Sequence, residues 1–169
     1  MEKNLVLTGM MGVGKSTIGK LLSKKMNMKF EDTDSLIEKK LSLSIKEIFK
    51  TEGEKFFRKI EEKETILLLK KENLILALGG GAFLNNKIRE NIKKFSFSVW
   101  LDLSPKYIFQ RTNKSDKRPL LNNIKSENDL NKLYEKRKDI YSKADYRIDC
   151  NFKTPNEIAI EIKNIYENI

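Results

Sequence analysis

Gly9-Met10-Met11-Gly12-Val13-Gly14-Lys15-Ser16-Thr17, the string GMMGVGKST, follows directly on Thr8 and the apolar triplet Leu5-Val6-Leu7, and its reading decides the fold. Gly9, Gly14, Lys15 and Ser16 fill every fixed position of G-x-x-x-x-G-K-[ST]. Glycines let the backbone curl so that successive N–H groups face inward, and a helix N-terminus behind them adds its positive dipole end. Ile18, Leu21 and Leu22 continue after Lys15 at helical spacing, so the loop lies between a buried strand and a helix. Gly12, Val13, Gly14, Lys15, Ser16 and Thr17 are therefore candidate ligands for the phosphates of a nucleoside triphosphate. Lys15 is placed to reach the β- and γ-phosphates, and the Ser16 hydroxyl to ligate Mg2+. A glycine turn that precedes Lys-Ser by chance would not need that strand and helix, and a dinucleotide fingerprint would need G-x-G-x-x-G, which is not here.

Outward from the loop, strand and helix signals alternate. Lys29 to Asp32 reads as a second strand ending in acid, and Ser44 with Glu47 as a capping box. A long helix is expected from about 53 to 71, and Leu74 to Gly81, LILALGGG, as an apolar strand stopped by three glycines. FSVWLDL, Phe97 to Leu103, is another strand, followed by Ser104-Pro105 as cap and first helical residue. Tyr146 to Asp149 is the last strand. Thr154, Pro155 and Glu157 then open a helix striped by Ile158, Ile162, Ile165 and Ile169. Such alternation predicts an α/β, three-layer fold with one parallel sheet covered on both faces, in a single domain spanning 1–169. The polar, basic insertion from Asn113 to Asn128 around KRPLL is long enough to read as a functional lid.

The chain has 169 residues, one Cys and no His, with 39% hydrophobic and 34% charged residues. That leaves too few thiols for a disulfide framework and no apolar run long enough for a membrane span, so a cytoplasmic protein with no membrane partner is expected. Lys+Arg 34 against Asp+Glu 24 gives a net charge of +10. Scattered pairs such as Lys24-Lys25 and Lys93-Lys94 read either as solvated charge or as a field drawing in an anionic metabolite. No zinc-finger spacing or continuous basic stripe supports nucleic-acid binding.

The acceptor of the phosphoryl group is approached through the remaining polar residues. Asp32 and Asp34 alternate across Thr33 at the expected carboxyl end of the second strand, where a parallel sheet borders its ligand crevice. Asp32 suits Mg2+ or its waters, and Asp34 an acceptor hydroxyl that it orients and deprotonates; solvated acids at a strand end are the bland alternative. Arg58 either pairs with Glu61 along its helix or faces the crevice with Glu61 steering it. Arg137 falls on the side defined by Leu130, Leu133, Tyr134 and Tyr141, where a guanidinium needs an anionic partner. Two arginines from separate elements suit bidentate capture of a carboxylate. Gly79, Gly80 and Gly81 fit a ligand approaching the backbone closely. Arg111 and Arg118 flank the insertion as lid residues or as wet loop charge, and Arg118 is braced by Pro119. Cys150 and Trp100 read as core.

The strings GMMGVGKST, FEDTD, FFRKIEEKE, ALGGGA, RPLL and YEKRKDIYSKAD run in order from residue 9 to 145, and with them the chain resembles shikimate kinases. The resemblance implies ATP-dependent phosphorylation of the 3-hydroxyl of shikimate, on the route to chorismate and the aromatic amino acids. It implies a nucleoside-monophosphate-kinase-like P-loop fold with a central five-stranded parallel sheet, a substrate-binding helical region at about 33–61 and a mobile lid at about 112–126. It also implies roles for single residues. Lys15 and Ser16 serve phosphates and Mg2+, Asp32 supports the metal, and Asp34 hydrogen-bonds the substrate hydroxyls. Arg58 and Arg137 hold the carboxylate with a glycine N–H at Gly80, Phe49 and Phe57 form the apolar wall, Arg118 reaches the phosphates, and Arg111 with Pro155 flanks adenine. A monomer is expected. The rivals are another small-molecule kinase of this fold, a GTP-dependent switch reading its base through Asn113-Lys114-Ser115-Asp116, and a nucleic-acid-associated ATPase.

Overall fold

Leu5, Val6 and Leu7 leave no side of their strand free for water, so that strand has to lie inside a sheet covered on both faces. In the computed structural model, which describes residues 3–112, 124 and 126–169, β1 (Asn4–Thr8) is buried at all five positions. It pairs in parallel with β3 (Leu74–Ala77) on one side and β4 (Ser96–Asp102) on the other. β2 (Lys29–Asp32) joins β3 and β5 (Tyr146–Asp149) joins β4, giving a five-stranded parallel sheet in the order β2-β3-β1-β4-β5. The strand order reverses direction at β1, and such a switch point opens a crevice at the carboxyl ends of the strands.

Helices α1 (Lys15–Met26), α2 (Thr33–Leu41), α3 (Ile45–Thr51), α4 (Glu54–Leu69), α5 (Asn86–Phe95), α6 (Pro105–Thr112), α7 (Glu127–Tyr141) and α8 (Pro155–Glu167) flank the sheet. α1 packs against α8, and α4 against α5. The capping boxes at Ser44 with Glu47 and Thr154 with Glu157 both form, and Ser126 with Asp129 adds a third at the start of α7. Trp100 and Cys150 lie in the main core, as expected. A second, smaller core of Ile37, Ile48 and Phe57 forms where α2, α3 and α4 meet. Among the described residues no helix is long and apolar enough to cross a membrane.

Two strand ends shape the crevice. β3 ends at Ala77, just before the glycines: Leu78 N–H still reaches the Leu7 carbonyl at 3.0 Å, but Gly79 N–H turns to the Thr33 hydroxyl at 2.9 Å and the chain enters a short 3-10 turn, Ala82–Leu84. β2 ends at Asp32, as the sequence reading has it, and Asp34 lies in the first turn of α2. Asp32 ends β2 and caps α2, its Oδ1 accepting the Ser35 N–H at 3.1 Å, so the helix starts at Thr33.

At the opposite edge of the sheet Asn4 is a clamp. Its Nδ2 donates to the Leu69 and Lys71 carbonyls at 3.1 and 2.6 Å, and its Oδ1 accepts the Leu74 N–H at 3.0 Å. It joins the end of α4 to the start of β3 while itself buried. Asn4→Ala leaves those backbone groups unpaired and is expected to cost about 1–3 kcal/mol. The measurement is urea unfolding: the midpoint falls with the slope unchanged, and an unaltered midpoint would mean that water replaces the amide.

Candidate active site

The phosphate loop owes its shape to glycines with positive φ, 81° at Gly12 and 103° at Gly14. A Cβ on Gly12 would also lie 2.6 Å from the Thr112 methyl, so α6 closes against the loop. Gly14 caps α1 without a side chain, which leaves the helix's first N–H groups to an anion. Val13 is buried in the core, so its backbone alone is available, whereas Thr17 is exposed. Lys15 is 8% exposed and its Nζ donates to the Gly9 and Met10 carbonyls, both at 2.8 Å. A cavity of about 170 Å3 runs from Gly12, Lys15 and Ser16 to Asp32, Asp34 and Gly80. Of the candidate acceptor residues Asp34 and Gly80 share that space with the phosphate loop, while Arg58, Arg137, Phe49 and Phe57 are not among its lining.

Ser16 Oγ donates to Asp32 Oδ2, which brings a hydroxyl and a carboxylate oxygen side by side at the mouth of α1. Two hard oxygen donors next to a phosphate cradle fit Mg2+, which takes one or two protein oxygens and fills the rest of its shell with phosphate oxygens and water.

The three glycines after β3 are each closely approached by a different group. A Cβ at Gly79 would lie 2.4 Å from Asp34 Oδ1 and 2.8 Å from Glu61 Oε1; at Gly80, 3.2 Å from Met11 N; at Gly81, 2.6 Å from Arg58 Nη1. Arg58 comes from α4, its Nη1 donating to Glu61 Oε2 at 2.7 Å and its Nη2 to Glu54 at 3.2 Å, with the guanidinium over the Phe57 ring. Arg137 comes from α7 and donates to the Gly80 carbonyl at 3.3 Å. The two arginines therefore meet adjacent glycines from separate helices. Phe57 is buried and packs on the half-buried Phe49 with ring centroids 5.0 Å apart.

Burial works against the Arg58 charge, yet Glu61 and Glu54 hold its pKa above the usual arginine value. Glu61, 2% exposed, is pushed above the ordinary carboxylate range by burial, against the pull of Arg58 and Arg137. Its Oε1 has no hydrogen-bond partner among the described residues.

On the expected purine side, Arg111 is exposed in the last turn of α6, one turn beyond Tyr107, which packs edge-on against Phe152 at 5.6 Å. Pro155 is exposed at the first position of α8. Arg118, Asn113 to Asp116 and most of the stretch 112–126 lie outside the described residues. Two contributors escaped the sequence reading. Thr33, read as a spacer between aspartates, accepts the Gly79 N–H and donates to the Ala77 carbonyl at 3.3 Å. Tyr141, read as part of an apolar side and, with Arg137, as part of the string that carries the resemblance but with no role of its own, places its hydroxyl on the Gly80 carbonyl; its spacing of four from Arg137, one helical turn, was the available signal.

A sequence model of the family described as shikimate kinase matches residues 11–167. The shikimate kinase of Sulfurihydrogenibium sp. (strain YO3AOP1) is 41% identical over 160 residues, covering 95% of each chain. That of Thermodesulfovibrio yellowstonii is 40% identical over 167 residues, covering 99% of this chain and 96% of its own. Among solved structures, shikimate kinase from Acinetobacter baumannii in complex with shikimate superposes with a TM-score of 0.94 at 34% identity, over 98% of this chain and 93% of that one.

The buried Glu61 carboxyl generates a pH dependence. Its folded pKa is raised above the ordinary 4.5, so the stability tied to its protonation is fully present below that value and is lost as pH rises through the folded pKa. Glu61→Gln cannot titrate. The parent-minus-variant difference in unfolding free energy is therefore expected to fall as pH rises from about 4.5, measured by denaturant titration at a series of pH values. A difference that rises across the same window would mean that Arg58 outweighs burial.

Proposed function

The chain belongs to the shikimate kinase family, and we propose that the cavity at the carboxyl ends of β1, β2 and β3 performs that family's reaction with the residues named above. The enzyme is a phosphotransferase with an alcohol acceptor: it transfers the γ-phosphoryl group of ATP to the 3-hydroxyl of shikimate, giving shikimate 3-phosphate and ADP, a step toward chorismate and the aromatic amino acids. The observation that supports this division of labour is the single cavity with Lys15 and Ser16 at one end and Asp34 and Gly80 at the other.

Phosphoryl transfer asks a protein mainly for positioning and for charge aimed at the phosphoryl oxygens. The N–H groups of Gly12, Val13 and Gly14 and the start of α1 at Ser16 and Thr17 hold the phosphates, and Lys15 sets its ammonium against them. Ser16 and Asp32 would hold Mg2+, which would supply neutralisation of phosphate charge. Asp34 orients the acceptor hydroxyl and takes its proton. Arg58 and Arg137 grip the carboxylate beside Gly79, Gly80 and Gly81, with Phe49 and Phe57 as the apolar wall. Arg118 reaches the transferring group from the lid at 112–126, and Arg111 and Pro155 flank the adenine. The protein acts as a cytoplasmic monomer on small molecules, with neither nucleic acid nor membrane as partner.

An ADP-release assay over hydroxy acids, sugars and nucleoside monophosphates tests the reading, with turnover expected for shikimate and not for gluconate or a nucleotide acceptor. In the same assay Asp34→Asn is expected to lower kcat about 100-fold or more while ATP affinity stays near that of the parent. Loss of ATP affinity instead would move Asp34 to the metal site.

Arg137→Lys keeps the charge but loses the planar fork, and is expected to weaken shikimate by about 1–3 kcal/mol with ATP binding unchanged. A neutral carboxamide analogue of shikimate is the control. It should bind the parent poorly and lose much less on substitution. Equal losses for both ligands, read by calorimetric titration, would assign Arg137 to the fold or the nucleotide site.

A further inference from the structure

Tyr141 is fully buried, its ring stacked on Phe83 at 6.5 Å and on Trp100 at 6.1 Å between centroids. An aromatic in that setting is accounted for by packing alone, but its hydroxyl is not. The hydroxyl donates to the Gly80 carbonyl and lies 3.9 Å from Met10 Sδ, at the seam between the glycine triplet and the phosphate loop. The Gly80 carbonyl accepts a second hydrogen bond, from Arg137 Nη1 at 3.3 Å. Tyr141 and Arg137 are one turn apart on α7, so both donors reach the same oxygen from the same side of one helix.

A carbonyl oxygen has two lone pairs and is costly to leave unpaired away from water. With the tyrosine in place, the guanidinium can leave the carbonyl without orphaning it. The arginine contact is also the looser kind, beyond the most common N–H···O separation of about 2.9–3.0 Å.

We propose that Tyr141 is a positioning residue for the substrate carboxylate: its hydroxyl pairs the Gly80 carbonyl, so that Arg137 is released to the ligand. The proposal rests on Arg137 being a carboxylate ligand. Burial raises the phenol pKa against the pull of Arg137, which keeps the hydroxyl a donor through neutral pH. Without it the carbonyl would hold the guanidinium back, and the ligand would have to compete for Arg137 with the protein's own backbone.

Tyr141→Phe keeps the stacked ring and removes only the donor, and a thermal melt on the same preparation checks that it folds. The expected result is a rise of about tenfold in the Kd and KM for shikimate, with kcat altered by a smaller factor. ATP and the neutral carboxamide analogue should each shift by less than about twofold, because neither calls on Arg137. In an Arg137→Lys background, a second variant with Tyr141 otherwise intact, adding Tyr141→Phe should also change shikimate binding by less than about twofold. The proposal is overturned by an unchanged shikimate Kd, by equal losses for shikimate and the carboxamide, or by a loss that persists in full when Arg137 is already lysine. A parent protein that binds no shikimate would take down the reading of the site, an outcome distinct from these three.

Discussion

Three successive residues without side chains let groups from four elements reach one place. Asp34 from α2, Glu61 and Arg58 from α4, Met11 from the phosphate loop and Arg137 from α7 all come against Gly79-Gly80-Gly81, at distances that a Cβ would forbid at Gly79 and Gly81. The parallel sheet supplies the location, since β1, β2 and β3 all deliver their carboxyl ends there. The glycines supply the closeness. Donor and acceptor chemistry can share a small cavity only because the backbone between them carries nothing that would fill it.

Closeness brings an electrostatic problem, because a carboxylate as buried as Glu61 is expensive to ionise. Two arginines meet it: Arg58 by a 2.7 Å hydrogen bond and Arg137 through space. The same two guanidinium groups are those assigned to the substrate. The orientation of Arg58 is thus set by Glu54 and Glu61, while Arg137 is kept close by a longer bond to the Gly80 carbonyl. A site organised in advance spends less of its binding free energy on ordering side chains.

The order of strands and helices was legible because hydrophobic period and caps agreed: Leu5 to Leu7 for a buried strand, Ser44 with Glu47 and Thr154 with Glu157 for helix starts. The phosphate loop was legible because its chemistry demands fixed residues at fixed spacing. What the sequence concealed lay in tertiary contacts. The end of the second strand at Asp32 was legible, but not that the Asp32 carboxylate caps the helix that follows and so places Asp34 in its first turn. Thr33 gave no local sign that its hydroxyl meets Gly79, and the spacing of Tyr141 from Arg137 put the two on one helix side without showing that the hydroxyl meets Gly80, since those contacts join residues 46 and 61 positions apart. Arg111 and Pro155 are both exposed, so burial does not mark them as a pair.

The small core beneath the acceptor side has a thermodynamic corollary. Ile37, Ile48 and Phe57 form a cluster separate from the one that holds the sheet together, with few buried side chains to oppose local opening. Regions of low contact density open with less free energy than the global transition. The protein's stability is therefore expected to be graded, with α2 and α3 exchanging their amide hydrogens through partial openings and β1, β3 and β4 only with the whole. Mild heat or denaturant would then blunt recognition of the acceptor before it disturbs the nucleotide loop.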